Sequence, residues 1–389
     1  MGSFVAAHIE ELSPSRTLAI TSQAKALMEE GKDICSFGAG EPDLDTPAHI
    51  VEAAVEALRN GFTKYTPSSG IPQLREAIAE KLFVDNNIEY SPAQVSVNCG
   101  AKHSCFNAIL AACDPGDEVI IPTPYWTSYP EMVRIAGAKP VFVETHQDQG
   151  WKLTSEAFEN AMSPRTKMVI LNSPGNPTGA VYSEDELRAL AEVAVSEDIL
   201  ILSDEIYEKL VYGKARHVSI ASLDEDVSKL TITIGGFSKA YSMTGWRLGY
   251  TAAPPDLAKA IDNIQSHTTS NPTSFAQYGG LAAIHGDQQI VQDMREEYDI
   301  RRRYMLSRLE TISNISTVEP LGAFYFLVNI ASTGLNSINL AEKLLSRYEV
   351  AVVPGIAFGK DDAIRFSYAT GLDVIKKGMD RFNDFCRSH

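Results

Sequence analysis

A lysine that follows a short apolar run is the first candidate for chemistry in this chain. Lys239 closes the segment Gly-Gly-Phe-Ser-Lys at 235–239, which comes directly after the apolar run 230–234. In an α/β sheet, ligands bind beyond the carboxyl ends of the strands, and this lysine is expected to lie there. A buried lysine can lose its proton near neutral pH and form a Schiff base with a carbonyl group. A solvated lysine in a surface turn is the alternative, so Lys239 needs supporting residues.

Polar residues after the neighbouring runs supply that support. Asp204 and Tyr207 follow the apolar run 199–202, and Asn176 follows the run 168–171. A carboxylate at the end of a hydrophobic strand is costly unless it meets a cation, so Asp204 predicts a cationic partner such as a pyridinium nitrogen. The amide of Asn176 and the phenol of Tyr207 can both donate a hydrogen bond to a phenolate oxygen of the same ring.

A phosphate group and a flat ring also have candidate partners. Gly100, Ala101 and Lys102 follow the run 95–97 and lead a predicted helix, so their backbone N–H groups form a seat for an anion. Trp126 offers a flat face on which a ring could stack.

The elements that must position these residues alternate along the chain. Helical patterns include 50–58 and the segment behind the capping box of Ser183 and Glu186. Short apolar runs of strand length, bounded by Gly, Pro, Asn or Asp, lie at 95–97, 119–121, 141–143, 168–171, 199–202, 230–234 and 248–251. Alternation of this kind predicts an α/β fold with a mostly parallel, seven-stranded sheet that is covered on both faces.

The C-terminal part of the sequence has a different pattern. A charged helix is predicted over 293–309, and mixed strands and helices follow it. We therefore expect two domains in the 389 residues: a large domain at 46–288, and a smaller α+β domain formed by 1–45 and 289–389.

Composition restricts the partners and the compartment. The net charge of −16 disfavours nucleic acid and anionic membranes, so an anionic ligand needs a local basic pocket. Five scattered cysteines without a CxxC pair indicate reduced thiols. The first residues lack the layout of a signal peptide, and no apolar run has the length of a membrane span, so a cytoplasmic protein is expected.

Other classes of protein fit the sequence less well. Gly-Phe-Ser-Lys-Ala at 236–240 lacks the final glycine of a serine-hydrolase elbow, and Ser-Gln-Ala-Lys at 22–25 has no accompanying Lys-Thr-Gly. No GxGxxG or P-loop is present, and the eight histidines show no metal-binding spacing, so we expect no metal. A ligand-sensing relative without catalysis stays open.

The ordered motifs together resemble one family. Asn-Pro-Thr-Gly at 176–179, Ser-Asp-Glu-Ile-Tyr at 203–207, Ser-Lys at 238–239 and Gly-Trp-Arg-Leu-Gly at 245–249 resemble class I aminotransferases of the aspartate aminotransferase family. The resemblance extends over essentially the whole chain and is closest to the branch with bacterial and plant aspartate/prephenate enzymes. It implies fold type I of the pyridoxal 5′-phosphate (PLP) enzymes, PLP as the cofactor, and a homodimer with composite active sites.

The resemblance also implies a role for each matching residue. Lys239 would bear the cofactor and move the substrate proton, Asp204 would pair with the ring nitrogen, and Tyr207 would donate to the ring oxygen. The implied set of cofactor-binding residues further includes Gly100, Ala101, Lys102, Trp126, Asn176, Ser238, Arg247 and, from a second subunit, Tyr65. One departure is Gly236, where many members carry Ser or Thr, so one hydrogen bond to the phosphate is expected to be missing or to be replaced by one from water.

Substrate contacts follow from the same resemblance. Arg365 would bind the α-carboxylate as a two-pronged fork, together with Asn176, the backbone of Gly40 and the ring of Trp126. The place of the distal-carboxylate arginine in one branch falls near Ser266, which is uncharged. In the other branch this contact is made by the equivalents of Lys102, Ser15 and Thr17, which favours aspartate and glutamate as donors. A preference for prephenate, aromatic substrates or alanine stays open.

Overall fold

The structure, a computed structural model, describes residues 4–10, 12 and 16–388. Its helices, numbered in chain order, are α1 (Ala7–Glu10), α2 (Arg16–Glu29), α3 (Ala48–Arg59), α4 (Pro72–Asn86), α5 (Ala101–Ala112), α6 (Tyr129–Ile135), α7 (Ser155–Ala161), α8 (Glu184–Ser196), α9 (Glu225–Leu230), α10 (Pro255–Thr268), α11 (Ser274–His285), α12 (Gln289–Leu309), α13 (Ser337–Tyr348) and α14 (Leu372–Arg387). Its strands are β1 (Cys35–Ser36), β2 (Val95–Asn98), β3 (Glu118–Thr123), β4 (Lys139–Glu144), β5 (Thr166–Asn172), β6 (Leu200–Asp204), β7 (Thr231–Gly236), β8 (Gly249–Ala252), β9 (Ser316–Thr317), β10 (Tyr325–Asn329), β11 (Val350–Ala351), β12 (Val353–Pro354) and β13 (Ala363–Ser367).

The large sheet has seven strands in the order β2-β8-β7-β6-β5-β3-β4. Strands β4, β3, β5, β6 and β7 run parallel, whereas β8 is antiparallel to both of its neighbours, β7 and β2. The predicted mostly parallel, seven-stranded sheet is confirmed, and each of the seven apolar runs forms or overlaps one of its strands.

Helices cover both faces of this sheet. Alternate residues of each strand point to opposite faces, so neighbouring residues of one strand belong to different clusters. Val119 and Ile121 belong to one buried cluster, which includes residues of α5, α6 and α10. Ile120, between them, belongs to the opposite cluster with residues of α7 and α8. The predicted capping box is present at the start of α8, where the Glu186 side chain accepts from the backbone N–H of Ser183 at 2.7 Å.

A second sheet lies in the C-terminal part, with four antiparallel strands in the order β12-β13-β10-β9. The predicted charged helix is present as α12, which begins four residues earlier than expected, at Gln289. The N-terminal segment joins this region: β1 pairs with β11, and the ring of Phe37 packs against Phe366 at a centroid distance of 5.3 Å. The domain boundaries near 46 and 288 stay a prediction.

The cysteines and helices bear on two further expectations. All five cysteines are unpaired, and all except Cys99 are buried, as expected for small core residues. Among the helices of the described ranges, none is both long and apolar enough to cross a bilayer.

Candidate active site

A cleft of about 440 Å³ opens at the carboxyl end of the large sheet. Asp204 is the last residue of β6, Asn176 lies four residues beyond β5, and Lys239 lies three residues beyond β7. The C-terminal sheet closes the other side, because Tyr325 of β10 and Arg365 of β13 line the same cleft. The prediction that Lys239 lies beyond the carboxyl end of its strand is therefore confirmed.

Most residues predicted from the sequence meet in this cleft. Those that line it are Gly40, Ala101, Lys102, Trp126, Asn176, Asp204, Tyr207, Ser238, Lys239, Arg247 and Arg365. Gly100 directly precedes this lining as the N-cap of α5. Tyr65 is 89% exposed and does not line the cleft of its own chain. Ser15 and the side chain of Thr17 lie outside the described residues.

Lys239 is held by a backbone oxygen of the N-terminal segment. Its Nζ donates a hydrogen bond to the carbonyl of Gly40. Burial lowers the pKa of Lys239 to about 8, although the carboxylate of Glu41 acts in the opposite direction. A sizeable fraction of the amine is therefore neutral near pH 8, as a nucleophile or general base must be.

Asp204 is 3% exposed and ends a hydrophobic strand. Its Oδ2 accepts a 2.6 Å hydrogen bond from the phenol of Tyr129, and the thiol of Cys105 lies 3.8 Å from the same oxygen. Its Oδ1 accepts from the backbone N–H of Ile206 at 3.2 Å. Burial raises the pKa of the Asp204 carboxyl, while the bond from Tyr129 lowers it. Within the described part of the chain, no cationic side chain forms an ion pair with Asp204, so a positively charged ligand would suit it.

Arg365 is a buried cation in a similar situation. One Nη donates to Oδ1 of Asn176 and the other to the carbonyl oxygen of Gly38, each at 3.0 Å. Among the described residues, its Nε has no hydrogen-bond partner and no carboxylate forms an ion pair with it. Burial lowers the pKa of Arg365. A buried guanidinium without an anion favours a bound carboxylate, which accepts two parallel hydrogen bonds from such a group.

The start of α5 provides an anion seat of the predicted kind. Gly100 has a φ of 89°, and a Cβ built on it would lie 2.5 Å from an Nη of Arg247. Glycine thus lets the arginine approach the helix terminus. The backbone N–H of Gly100 already donates to the carbonyl oxygen of Asn98 at 2.7 Å, which leaves the first-turn N–H groups of Ala101 and Lys102 as the donors.

Basic side chains outnumber acidic ones in the lining of the cleft, although the chain has a net charge of −16. Two carboxylates, Glu41 and Asp204, line the cleft together with four basic side chains, those of Lys102, Lys239, Arg247 and Arg365. The expected local basic pocket is present. Lys102 places its Nζ 5.1 Å from the centre of the Trp126 ring, and burial, followed by the charge of Arg247, lowers the pKa of Lys102.

Gly236, which stands where many members of the family carry Ser or Thr, is closely surrounded by other atoms. A Cβ at this position would lie 3.1 Å from both the Gly249 Cα and the Ile206 Cδ1. A serine or threonine would therefore require these neighbours to shift by a few tenths of an ångström. The close packing of β7 against β8 thus favours glycine at 236 over a residue with a hydroxyl group.

Sequence reasoning missed three aromatic residues of the cleft: Tyr129, Tyr325 and Phe358. Tyr129 lies three residues after Trp126 in the segment beyond β3, so its position at a strand end was a usable signal. Tyr325 and Phe358 stand in apolar stretches that read as ordinary core. No spacing or charge in the sequence separates them from the many buried aromatic residues around them.

One group of acidic and histidine side chains outside the cleft has atoms close enough to hold a metal. Ligand atoms of Glu205, Glu208 and His217 lie within 4.8 Å of one another. His217 pairs with Glu205 at 2.9 Å, and the ammonium of Lys81 contacts Glu208. These side chains and their neighbours thus compensate one another's charge within the protein.

The donor set of the cleft fits PLP. A buried carboxylate without a cation suits the ring nitrogen, the phenol of Tyr207 and the amide of Asn176 suit the ring oxygen, and the seat at α5 suits the phosphate. A reactive amine, Lys239, stands among them. The glycine at 100 lets the guanidinium of Arg247 lie against the start of α5, which adds a cation to the phosphate seat.

Comparison with known proteins agrees with this fold. The family model described as aminotransferase class I and II matches residues 32–381. The aspartate aminotransferase of Bacillus subtilis is 47% identical over 99% of both chains, and a probable aspartate/prephenate aminotransferase of Aquifex aeolicus is 46% identical over 97% of both. The solved aspartate aminotransferase of Thermus thermophilus with maleate is 41% identical, with a TM-score of 0.94 over 98% of this chain and 100% of that one.

The chain therefore belongs to the class I and II aminotransferase family. Members of this family depend on PLP, and the cofactor predicted from the sequence is confirmed at that level.

Proposed function

We propose that this protein is an aspartate aminotransferase. It would move an amino group between L-aspartate or L-glutamate and the oxo acids 2-oxoglutarate and oxaloacetate, in a ping-pong reaction. The observation that carries the proposal is the buried Arg365, which has no anionic partner among the described residues and faces the same cleft as Lys239. An arginine in this state is suited to the α-carboxylate that every amino acid and every 2-oxo acid brings.

Each residue of the cleft then has a task. When bound, PLP supplies an electron sink for the carbanion that forms at the amino acid Cα. Lys239 would bear the cofactor and move the proton to and from Cα, for which its lowered pKa is suited. Asp204 would keep a proton on the ring nitrogen through its charge, and Trp126 would provide a flat face for the ring. Arg365 orients the substrate, because its guanidinium is already fixed by Asn176 and Gly38.

The phosphate contacts follow from the start of α5. We assign the N–H groups of Ala101 and Lys102, the hydroxyl of Ser238 and the guanidinium of Arg247 to this group. Arg247 is anchored by a 2.8 Å bond from Nη to the carbonyl oxygen of Thr244. A fixed guanidinium presents a fork that matches two phosphate oxygens.

Lys102 is the residue that we assign to the distal carboxylate of aspartate and glutamate. Its Nζ lies beside the Trp126 ring at the cleft, with no anionic side chain of the described residues paired to it. The Thermus thermophilus relative was solved with maleate, which is a dicarboxylate. A lysine is a point charge, so it tolerates neutral side chains better than an arginine fork would. Ser15 and Thr17 are proposed to assist.

A homodimer with shared sites completes the proposal. Tyr65 is 89% exposed and lies outside the cleft of its own chain, so a second copy of the chain is needed for it to reach a phosphate. Phe62, Leu58 and Val51, which precede Tyr65 in the sequence, are exposed apolar side chains, as expected for a contact between subunits. Five unpaired cysteines support a cytoplasmic location.

A substrate profile tests the proposal. Purified protein with PLP is assayed with a panel of amino donors against 2-oxoglutarate and oxaloacetate, and prephenate is included as an acceptor. We expect aspartate and glutamate to give the highest kcat/KM. A higher value with prephenate would favour the second activity named for the Aquifex aeolicus relative. A higher value with aromatic donors or alanine would remove the role of Lys102.

A further inference from the structure

The hydroxyl groups of Tyr207 and Tyr325 lie 2.8 Å apart in the buried wall of the cleft. Tyr207 comes from the large sheet, three residues beyond the end of β6, whereas Tyr325 begins β10 of the C-terminal sheet. Both side chains are buried, and their rings meet edge to face at 5.9 Å. Either hydroxyl could donate in this pair, so its direction depends on what else each oxygen contacts.

Tyr325 also contacts the arginine of the cleft. The guanidinium carbon of Arg365 lies 4.3 Å from the centre of the Tyr325 ring, and the Phe358 ring lies at 5.1 Å. Two aromatic rings thus contact a cation that no carboxylate of the described chain neutralises. The face of an aromatic ring carries partial negative charge, so these contacts stabilise the guanidinium in its buried position.

We propose that Tyr325 is a positioning residue with two separable parts: its hydroxyl orients the proton of Tyr207 toward the cofactor, and its ring holds Arg365 for the substrate carboxylate. The proposal rests on the function proposed above. It adds Tyr325 to that site as a residue that acts through Tyr207 and Arg365. No role was assigned to Tyr325 from the sequence alone.

The direction of the hydrogen bond follows from the number of protons. Tyr207 has one hydroxyl proton, and as a donor to the ring oxygen of PLP it no longer has a proton for Tyr325. Tyr325 must then donate to Tyr207, whose oxygen accepts. A phenol that accepts a hydrogen bond is a stronger donor to its other partner, since the chain of bonds polarises. Tyr325 would thereby strengthen the bond from Tyr207 to the ring oxygen.

The surroundings of the Tyr325 hydroxyl include Gly40. A Cβ built on Gly40 would lie 3.6 Å from the Tyr325 oxygen, and the carbonyl oxygen of Gly40 accepts from Lys239. The hydroxyl therefore lies against the segment that holds the reactive lysine.

Two substitutions separate the two parts. Tyr325→Phe removes the hydroxyl and keeps a ring over Arg365, whereas Tyr325→Leu removes both. Tyr368→Phe is the control, because its buried hydroxyl donates to the carbonyl oxygen of Ala323 at 3.1 Å and does not line the cleft. Each variant is loaded with PLP, its absorbance is titrated with pH, and kcat and KM are measured with aspartate. Thermal unfolding confirms that each variant is folded.

For Tyr325→Phe we expect the midpoint of the absorbance titration to move upward, because a weaker donor leaves more negative charge on the ring oxygen and a neighbouring proton is held more tightly. The kcat should fall about three- to tenfold, the range of one neutral hydrogen bond, with KM changed less than about twofold. Tyr325→Leu should show the same shift and in addition raise KM for aspartate about tenfold. Tyr368→Phe should resemble the wild type.

Other outcomes overturn the inference. An unchanged midpoint and kcat in Tyr325→Phe would show that the hydroxyl does not act on Tyr207. If Tyr325→Leu fails to fold, the result with Tyr325→Phe is sufficient to test the role of the hydroxyl. Equal effects in Tyr325→Phe and Tyr368→Phe would indicate only a general loss of packing. A wild-type protein that binds no PLP or transfers no amino group would instead overturn the proposed function, and with it this inference.

Discussion

The phenol of Tyr129 donates a 2.6 Å hydrogen bond to Oδ2 of Asp204, a buried carboxylate that no cationic side chain of the described residues neutralises. If this carboxylate holds the protonated ring nitrogen of PLP, its negative charge matters most in the transition state. Asp204→Asn should therefore bind PLP and transfer amino groups at least about a hundredfold more slowly. The measurement is kcat with aspartate and 2-oxoglutarate on protein of verified cofactor content.

Tyr129→Phe is a milder change at the same carboxylate. It keeps the charge of Asp204 and removes one hydrogen bond to a charged group, so a loss of about tenfold is expected. Near-normal turnover of Asp204→Asn would mean that the ring nitrogen has another partner. An effect of Tyr129→Phe as large as that of Asp204→Asn would make the phenol, and not the charge, the important group.

Lys102 should lower KM for acidic amino donors but not for neutral ones. Lys102→Ser is expected to raise KM for aspartate while leaving KM for alanine or phenylalanine little changed, because only aspartate has a distal carboxylate. Kinetics with saturating PLP compare the three donors in wild type and variant. Equal losses for all three donors would assign Lys102 to the phosphate and leave the substrate choice unexplained.

Glu208 should contribute to stability in a pH-dependent way. It lies next to Tyr207, accepts from the Asn86 amide at 2.7 Å and contacts the ammonium of Lys81. Burial alone would raise the pKa of Glu208, but the charges of Lys81 and His217 lower it from 4.5 to about 2. A carboxyl group whose pKa is lowered by folding stabilises the folded protein at pH values above its ordinary pKa of 4.5. This stabilisation is lost as the pH falls toward 2.

Glu208→Gln should accordingly lower the free energy of unfolding by about 3 kcal/mol near pH 7, the cost of breaking a buried ion pair. The difference from wild type should shrink as the pH falls from 4.5 toward 2, as measured by denaturant unfolding. Glu225→Gln is the control, since its pair with Lys229 is exposed and should change stability little. A gap between wild type and Glu208→Gln that is constant with pH would contradict the ionic explanation.

The proposed sharing of active sites between two subunits predicts a complementation result. Tyr65→Phe subunits keep Lys239, and Lys239→Ala subunits keep Tyr65. When the two are mixed under subunit exchange, the mixed dimers should contain one undamaged site, and activity should rise above the average of the parents. Activity that stays at that average, with exchange verified by mass, would refute a role of Tyr65 across subunits.

Much of the fold was predictable because the seven sheet strands carry their own signals. The apolar run 168–171, for example, is buried on both faces and is followed by the polar Asn172, and β6 ends in a similar way at Asp204. Since parallel strands end at one edge of a sheet, residues such as Asn176, Asp204 and Lys239 could be placed together without coordinates. The capping box at Ser183 was equally local.

The rest depends on contacts between distant parts of the chain. Tyr325 meets Tyr207 across 118 positions, and Arg365 meets Gly38 across 327. Nothing in the local sequence of Tyr325 distinguishes it from Phe324 or Phe326, which are buried beside it. The start of α12 was misplaced by four residues because its N-cap is Gln288, which is not a typical capping residue and makes no capping bond with its side chain. The role proposed for Tyr65 depends on a second chain, so neither the local sequence nor the single chain can test it.

The most direct test of the account is a single turnover with aspartate alone. Wild-type protein loaded with PLP is mixed with L-aspartate in the absence of any oxo acid, and the absorbance of the bound cofactor and the oxaloacetate released are followed. We predict an absorbance change and oxaloacetate in proportion to the subunits, with Lys239→Ala binding PLP without a covalent bond and releasing almost none. Absence of oxaloacetate from fully loaded wild type, or equal release by Lys239→Ala, would contradict the assignment of this cleft as an aspartate aminotransferase site.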